Sequence, residues 1–294
     1  MNRADPARLE KDVRALEGER HPHSSPGALD AAARYIMAEF SAVGLQPERR
    51  PFEFRGRSYD NIVAVQPGTD PGHARVLVGA HYDSVRGTPG ADDNASGVAG
   101  VLETARLLAG AKLPASIEYV GFNLEELQTY TYRVGSRRHA AAARAAGAKY
   151  AGTLVLEMLG YVDHGRGSQF VPKLLFWKRV PRTGTFIAAT GDRRSSPLLR
   201  AFTKAARAAA PQLDVVTFLS PFKGWLVPHT RLSDNASYWD EGYPSLMITD
   251  TAFLRNPHYH RRTDASGTLD YRFMASVVDA VAETVRQLAS SGGS

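Results

Sequence analysis

Apolar residues recur along the chain with two different periodicities. Residues 6–18 and 27–44 place them three or four positions apart, which predicts two amphipathic helices. In the second, Ile36 and Phe40 share a face and Gly44 supplies a stop signal. The beginning of the chain is therefore predicted to be helical.

Short apolar runs follow, bounded by turn-forming residues and rich in β-branched side chains, as buried strands are. They read NIVAV at 61, RVLVGA at 75, SIEYVGF at 116, GTLVLEM at 152, TFIAATG at 185, LDVVTFL at 213 and YPSLMITD at 243. Segments with helical spacing lie between or after them, at 95–111, 136–147, 196–210 and 270–289. This alternation predicts an α/β fold, a three-layer α/β/α sandwich with a mixed, mostly parallel central sheet.

The organisation of the chain is predicted to be simple. Neither an internal repeat nor a linker is evident, so we expect one domain over residues 1–294, with a core at about 20–288 and a flexible tail at 289–294. Long loops are expected at 160–184 and 218–233. Ligands of open α/β sheets bind beyond the carboxyl ends of the strands, which is where functional residues should be sought.

Composition excludes several classes of site and partner. The chain lacks cysteine, which excludes disulfides and thiolate ligands or nucleophiles. Its net charge of +6 comes from scattered arginines without a basic–aromatic stripe, so no nucleic-acid partner is expected. No apolar run reaches membrane-spanning length and the first residues lack a signal-peptide pattern, which favours a cytoplasmic protein without a membrane partner. A removed leader would leave no trace, and the oligomeric state is left open.

Histidine and carboxylate side chains follow the ends of four predicted strands. The segment HYDSVRGTPGADDNASG, residues 81–97, starts where RVLVGA ends, and two glutamates, Glu125 and Glu126, follow the next strand. Glu157 ends GTLVLE, and the histidines of NPHYH come after the strand at 243. So many carboxylates at one sheet edge would repel one another unless cations lie between them. Ligand sets of nitrogen and oxygen suit zinc, with manganese or cobalt as substitutes.

Taken singly, these signals are ambiguous. His81 and Asp83 could be a histidine and its partner in a turn, and Asp93 or Asn94 could cap the following helix. Their conjunction at strand ends, in this order, is what indicates a metal site.

Five motifs together resemble the co-catalytic di-zinc aminopeptidase family over residues 20–288. They are GAHYDS, PGADDNASGVAGVLE, FNLEE, VLEMLGY and NPHYHRRTDASGTLDY. This family includes secreted bacterial leucyl aminopeptidases, glutamate carboxypeptidase and glutaminyl cyclases.

The resemblance implies a role for each matching position. His81 would bind one zinc ion, His260 the other, and Asp92 would bridge the two. Glu126 would complete the ligands of one ion and Glu157 those of the other. The resemblance also implies a cis peptide bond between Asp92 and Asp93.

The same resemblance implies which residues act in the reaction. Glu125 would be the general base, taking a proton from a water shared by the metals and returning it to the leaving amine. Asp83 would hold the ring of His81 through its second nitrogen. Tyr259 is a candidate donor to the substrate carbonyl, with a packed aromatic as the alternative.

The chain also departs from the family pattern. Glu157 stands where many relatives have Asp, and EELQTYTYRVGS is longer than the usual motif, so that Tyr130 and Tyr132 would line or rim the cleft or simply pack. Asn235 replaces an expected His, and it is expected to stabilise a loop together with Asp234. His258 competes with His260 for the ligand role.

The sequence therefore predicts a peptide hydrolase, a zinc-dependent aminopeptidase acting on the N-terminal residue of peptides. Three alternatives stay open: a glutaminyl cyclase, a carboxypeptidase that captures the substrate carboxylate with Arg231 or Lys223, and a non-catalytic binding protein. The apolar residues Phe222, Trp225 and Leu226 are expected to form a pocket wall or the core of a loop.

Overall fold

The computed structural model describes residues 3–126, 132–172 and 180–291. Seven α-helices are found within these ranges: α1 Pro6–Leu16, α2 Pro26–Ala42, α3 Gly97–Leu108, α4 Val134–Ala145, α5 Ser196–Ala209, α6 Asn235–Asp240 and α7 Tyr271–Ser290. The strands are β1 Glu48–Phe54, β2 Arg57–Gln66, β3 Arg75–His81, β4 Ile117–Phe122, β5 Tyr150–Glu157, β6 Ile187–Gly191, β7 Val215–Leu219 and β8 Ser245–Thr249.

All these strands belong to one sheet in the order β1-β2-β4-β3-β5-β8-β6-β7. The central strands β4, β3, β5 and β8 run parallel, while β2 is antiparallel to β4 and β6 is antiparallel to β8. Because parallel strands end at the same edge, His81, Glu157 and the residues that follow β4 and β8 meet there.

Helices cover both faces of the sheet. Helices α1, α2, α3, α5 and α7 pack against one another on one face, and α4 and α6 pack together on the other. The larger core lies beneath the first group and includes the buried Ile36, Val78 and Val278. A smaller core beneath the second group is built around Phe122 and Tyr238. The predicted three-layer α/β fold is confirmed.

Two elements were not anticipated from the sequence. Strand β1, ERRPFEF, is polar and contains Pro51, which suits the outermost, antiparallel position that it occupies. Helix α6 lies immediately after the loop expected at 218–233. The expected tail begins later than predicted, because α7 continues to Ser290 and residues 292–294 lie outside the described ranges.

Within the described residues, no helix is long and apolar enough to span a lipid bilayer.

Candidate metal centre

His81, the last residue of β3, is the innermost ligand candidate. Its ring is buried, with Nδ1 3.2 Å from the carbonyl oxygen of Asp83 and 3.6 Å from that residue's carboxylate. The same carboxylate accepts hydrogen bonds from the backbone N–H groups of Glu125 (3.1 Å) and Glu126 (3.2 Å). The Asp83 carboxylate therefore lies beside the His81 ring and also fixes the backbone of the two glutamates that follow β4. The role of Asp83 in holding the His81 ring for metal binding stays a prediction.

Asp93 lies between the two histidines of the site. Its Oδ1 is 3.4 Å from Nε2 of His81, and its Oδ2 is 3.1 Å from Nε2 of His260. The backbone N–H of Asp93 donates to Asp264 at 3.1 Å, which fixes the turn that carries the carboxylate. One carboxylate thus faces two imidazole nitrogens with a different oxygen toward each.

A further glutamate accompanies each histidine. Glu126 Oε1 is 3.6 Å from Nε2 of His260, and Glu157 Oε2 is 3.5 Å from Nε2 of His81. Glu157 Oε2 is itself held by the hydroxyl of Ser233 at 2.5 Å. The site therefore has two halves that share Asp93.

Two observations indicate that this group of side chains could bind metal ions. Nε2 of His81 is buried without a hydrogen-bond partner, which is unusual for a polar atom unless a ligand completes it. Ligand atoms of His81, Asp93 and Glu126 also lie within 4.8 Å of one another. Nitrogen and carboxylate oxygen at this spacing form a donor set that zinc accepts.

The expected bridging role of Asp92 does not agree with the structure. The Asp92 carboxylate accepts from the backbone N–H of Gly160 (2.9 Å) and from the amide of Asn256 (2.7 Å), outside the group of His81 and His260. The two neighbouring aspartates of this turn are held by different partners, and Asp93 is the one beside the histidines. The cis peptide bond likewise lies between Asp93 and Asn94, rather than between Asp92 and Asp93.

Glu125, the expected general base, lies at the mouth of this group. It is buried, and its Oε2 is 4.0 Å from Nε2 of His81. Burial raises the pKa of Glu125 well above its usual value, and the neighbouring Glu126 and Asp234 raise it further, although His81 opposes them.

The pKa values of His260, His81 and Glu126 are raised, as expected where buried carboxylates outnumber cations. Burial lowers the pKa of His260, but Asp93 and Glu126 more than compensate and raise it to about 10. The pKa of His81 is raised well above its usual value because Glu157, Asp83 and Asp93 outweigh burial. Burial raises the pKa of Glu126 to about 8. In the absence of a cation, protons balance the charge of this group.

Tyr259 packs flat on the ring of His260, with ring centroids 3.7 Å apart. It also touches Phe253, whose ring centroid is 5.6 Å away, and Phe253 in turn touches His229 at 5.2 Å. The rings of Tyr259, Phe253 and His229 form one wall of a cavity of about 150 Å³ that is also lined by Glu157. The role of Tyr259 as a hydrogen-bond donor to the substrate carbonyl stays a prediction.

The cavity is apolar. Besides the aromatic wall it is lined by Phe186, Ala188, Phe218, Met247 and other residues of β6, β7 and β8, and Glu157, His229 and Tyr259 are the ionisable side chains among its described lining. The pocket walls expected at Phe222, Trp225 and Leu226 are not found. These side chains are 75%, 68% and 58% exposed and form neither the pocket nor a loop core.

The cations considered for carboxylate capture are engaged elsewhere. Arg231 donates to both oxygens of Asp240 at 2.9 and 2.8 Å and to the carbonyl of Lys223 at 2.7 Å. Its guanidinium stacks on Trp225. Lys223 reaches the carbonyl of Asp240.

The other residues considered in the sequence analysis, where the structure describes them, make contacts outside the metal centre. His258 contacts Thr263 and the ring of Tyr161, so it lies outside the group around Asp93. The amide of Asn235 donates to the carbonyl of Thr230, as a loop-stabilising residue would. Tyr132 stacks on the guanidinium of Arg133, and Tyr130 lies outside the described residues.

Sequence reasoning missed two supporting residues. Ser233 was unmarked because a serine in a loop gives no signal of its own. Arg20, fully buried, donates through Nε to the carbonyl of Tyr82 and through Nη2 to that of Gly90, both at 2.8 Å. It therefore fixes both ends of the loop that leads from His81 to Asp93.

Comparison with known proteins relates this geometry to a family. The family model described as "Peptidase family M28" matches residues 61–285. The chain is 37% identical over 290 residues to the "Uncharacterized protein YfbL" of Escherichia coli strain K12, covering 95% of this chain and 87% of that protein. It is 25% identical over 283 residues to the "Probable leucine aminopeptidase" of Arthroderma otae, covering 90% and 68%.

Solved structures share the fold. The glutaminyl cyclase of Porphyromonas gingivalis superposes with a TM-score of 0.71 and 21% sequence identity, covering 98% of both chains. At this identity the likeness shows the fold alone.

Proposed function

Because the chain belongs to peptidase family M28, we propose that it is a zinc-dependent aminopeptidase that hydrolyses the N-terminal peptide bond of its substrates. Family membership supports a peptide hydrolase. The finer assignment depends on one observation, the carboxylate of Asp93 between the two imidazoles of His81 and His260.

The ligands would divide between two ions. His81 and Glu157 would hold one, His260 and Glu126 the other, and Asp93 would contact both through its two oxygens. When bound, two such ions polarise the substrate carbonyl and make a water acidic enough to attack it at neutral pH.

Glu125 would act as the general base and then as the general acid of the reaction. It lies beside His81 without being part of either ligand pair, and Asp83 holds its backbone. A carboxylate in this place can accept the proton of the attacking water and donate it to the leaving amine. Burial, which raises the pKa of Glu125, makes this carboxylate a stronger base for the proton of the attacking water.

The cavity beside Glu157 would receive the side chain of the N-terminal residue. An apolar cavity of about 150 Å³ is large enough for a benzene-sized group. Its apolar walls favour leucine, methionine or phenylalanine over charged or small residues. This agrees with the name of the relative from Arthroderma otae.

A panel of aminoacyl anilides tests the proposal. With zinc we expect release of the aniline from leucyl and phenylalanyl substrates well above lysyl and glutamyl ones, and EDTA should stop the release. Peptides followed by mass spectrometry should shorten from the N-terminus. If no anilide or peptide is cleaved with zinc, manganese or cobalt, the proposal is wrong.

A cavity-filling variant tests the pocket. Ala188, on β6, lines the cavity, and Ala188→Phe should fill it. We expect kcat/KM for leucyl and phenylalanyl substrates to fall by about 10- to 200-fold, while alanyl substrates are affected less. Ala141→Phe on α4, outside the cavity lining, is the matched control.

The shared fold of the Porphyromonas cyclase makes one alternative worth testing in the same samples. A peptide that begins with glutamine would lose ammonia and keep its length if the chain were a cyclase. Shortening by one residue supports the aminopeptidase.

A further inference from the structure

Asp234 is a buried acid that the proposed reaction does not use. It precedes α6 and is fully buried, and neither of its carboxylate oxygens has a hydrogen-bond partner. The hydroxyl of Ser136 is near enough to lower the pKa of Asp234, but its own hydrogen-bond distances are 2.8 Å to Ser237 Oγ and 3.3 Å to the carbonyl of Arg133. A buried, unpartnered carboxylate is costly, so its presence requires an explanation.

The usual structural reason for an aspartate at this position does not apply. Aspartate before a helix normally has extended backbone and caps a helical N–H. Asp234 has φ −56° and ψ −21°, which is helical, and its side chain caps nothing.

The electrostatic surroundings of Asp234 connect it to the metal centre. Burial raises its pKa to about 7 and the like charges of Glu157 and Asp83 add to that effect, while His81 and the hydroxyl of Ser136 oppose it. Asp234 in turn raises the pKa of Glu125. Its chain neighbour Ser233 donates to Glu157 at 2.5 Å, so the two residues approach the same half of the site.

We propose that Asp234 is a positioning residue that strengthens metal binding in the half of the site formed by His81 and Glu157. This inference rests on the proposed function. An ion held there would be attracted by the negative charge of Asp234 through the buried interior, where electrostatic interactions are strong. Without the ion, ionised Asp234 is repelled by the like charges of Glu157 and Asp83 and raises the pKa of Glu125. Asp234 thus favours the metal-loaded protein and disfavours the metal-free one.

The test is Asp234→Asn, which keeps the size of the side chain and removes its charge. The full chain is stripped of metal and titrated with Zn²⁺ alone against a chromophoric chelator, and thermal unfolding is recorded with and without Zn²⁺. We expect one of the two zinc equivalents to bind about 10- to 100-fold more weakly. The metal-free variant should unfold at the same or a higher temperature than the metal-free wild type.

Asp12→Asn is the matched control. Asp12 is also fully buried, but it is paired with Arg106 at 2.5 and 3.1 Å and with Tyr35 at 2.7 Å. The control should unfold at a lower temperature and bind zinc like the wild type. Asp234→Ser serves as a second uncharged variant if the asparagine protein does not fold.

Unchanged zinc affinity in the uncharged variants would overturn the inference while leaving the aminopeptidase proposal intact. A wild-type protein that binds zinc but cleaves no substrate would contradict the proposed function and leave the zinc titration interpretable.

Discussion

Two buried glutamates near strand β4 have their pKa values displaced in opposite directions. Glu118 lies within the strand and is 1% exposed, whereas Glu126 follows the strand and is 5% exposed. Glu118 is 3.1 Å from Arg50 and 3.5 Å from His139, and it accepts a hydrogen bond from the hydroxyl of Tyr150. Burial raises its pKa, but these partners lower it to about 2. For Glu126, burial raises the pKa to about 8.

The difference lies in the partners, because burial is nearly equal. The chain provides Glu118 with His139, Tyr150 and Arg50, of which Arg50 is shared with Glu48. It provides Glu126 with His260, which Asp93 shares. Buried acids in excess of the cations that the chain provides indicate a site for an external cation, whereas a matched acid indicates a structural role.

The largest expected effect is a loss of turnover when Glu125, the neighbour of Glu126 in the metal centre, is changed. Glu125→Gln should lower turnover by about 10²- to 10⁴-fold, because a positioned base is lost, while zinc content stays unchanged. Anilide hydrolysis and metal analysis on the same preparation measure the two quantities.

Glu126→Gln is the contrasting variant and should lose both activity and zinc. Near-normal turnover in Glu125→Gln would assign the proton transfer to another group.

Substitution of Glu118, whose charge is balanced by partners within the chain, should change the free energy of unfolding instead of the activity. A pKa held at about 2 rather than 4.5 is worth on the order of 3 kcal/mol at neutral pH. Glu118→Gln should lose stability on this scale, while zinc affinity is kept, as measured by urea denaturation and zinc titration.

The pH dependence has a defined sign. Because the folded pKa is lowered, the contribution of Glu118 is present above about pH 4.5 and is lost as the pH falls through about 2. The wild type should therefore lose about 2.5 kcal/mol more stability than Glu118→Gln between pH 6 and pH 2.5. Equal losses would show that Glu118 is not held ionised.

A further expected effect is a pH dependence of metal binding. Metal-free Glu126 and His260, with pKa values of about 8 and 10, must release protons to bind an ion. Zinc affinity should therefore increase about tenfold per pH unit for each proton released, up to about pH 8 for the glutamate. A zinc affinity that does not change between pH 6 and pH 8 would contradict the proposal that Glu126 and His260 release protons when they bind the ion.

Much of the fold could be predicted from periodicity, because most of the parallel strands are continuous apolar runs buried on both faces. Strand β1 escaped prediction because it lies at the outer position of the sheet, where polar residues and Pro51 are tolerated. Propensity does not distinguish such a strand from a loop.

The residues of the site could be named from motifs, but the orientation of their side chains could not. Asp92 and Asp93 are chemically identical neighbours. Their environments differ through contacts with Gly160, Asn256 and His260, all distant in sequence. Ser233 was hidden for the same reason, since its partner Glu157 ends the distant strand β5.

Arg20 has a practical consequence for anyone who isolates a fragment of this chain. It lies outside residues 61–285, the span matched by the family model, yet its guanidinium joins Tyr82 to Gly90 and also reaches the carbonyl of Leu16. A clone trimmed to the family boundaries would delete this anchor together with α1, α2 and β1. The shape of the segment between His81 and Asp93 is thus specified partly by residues that a domain-based boundary would discard.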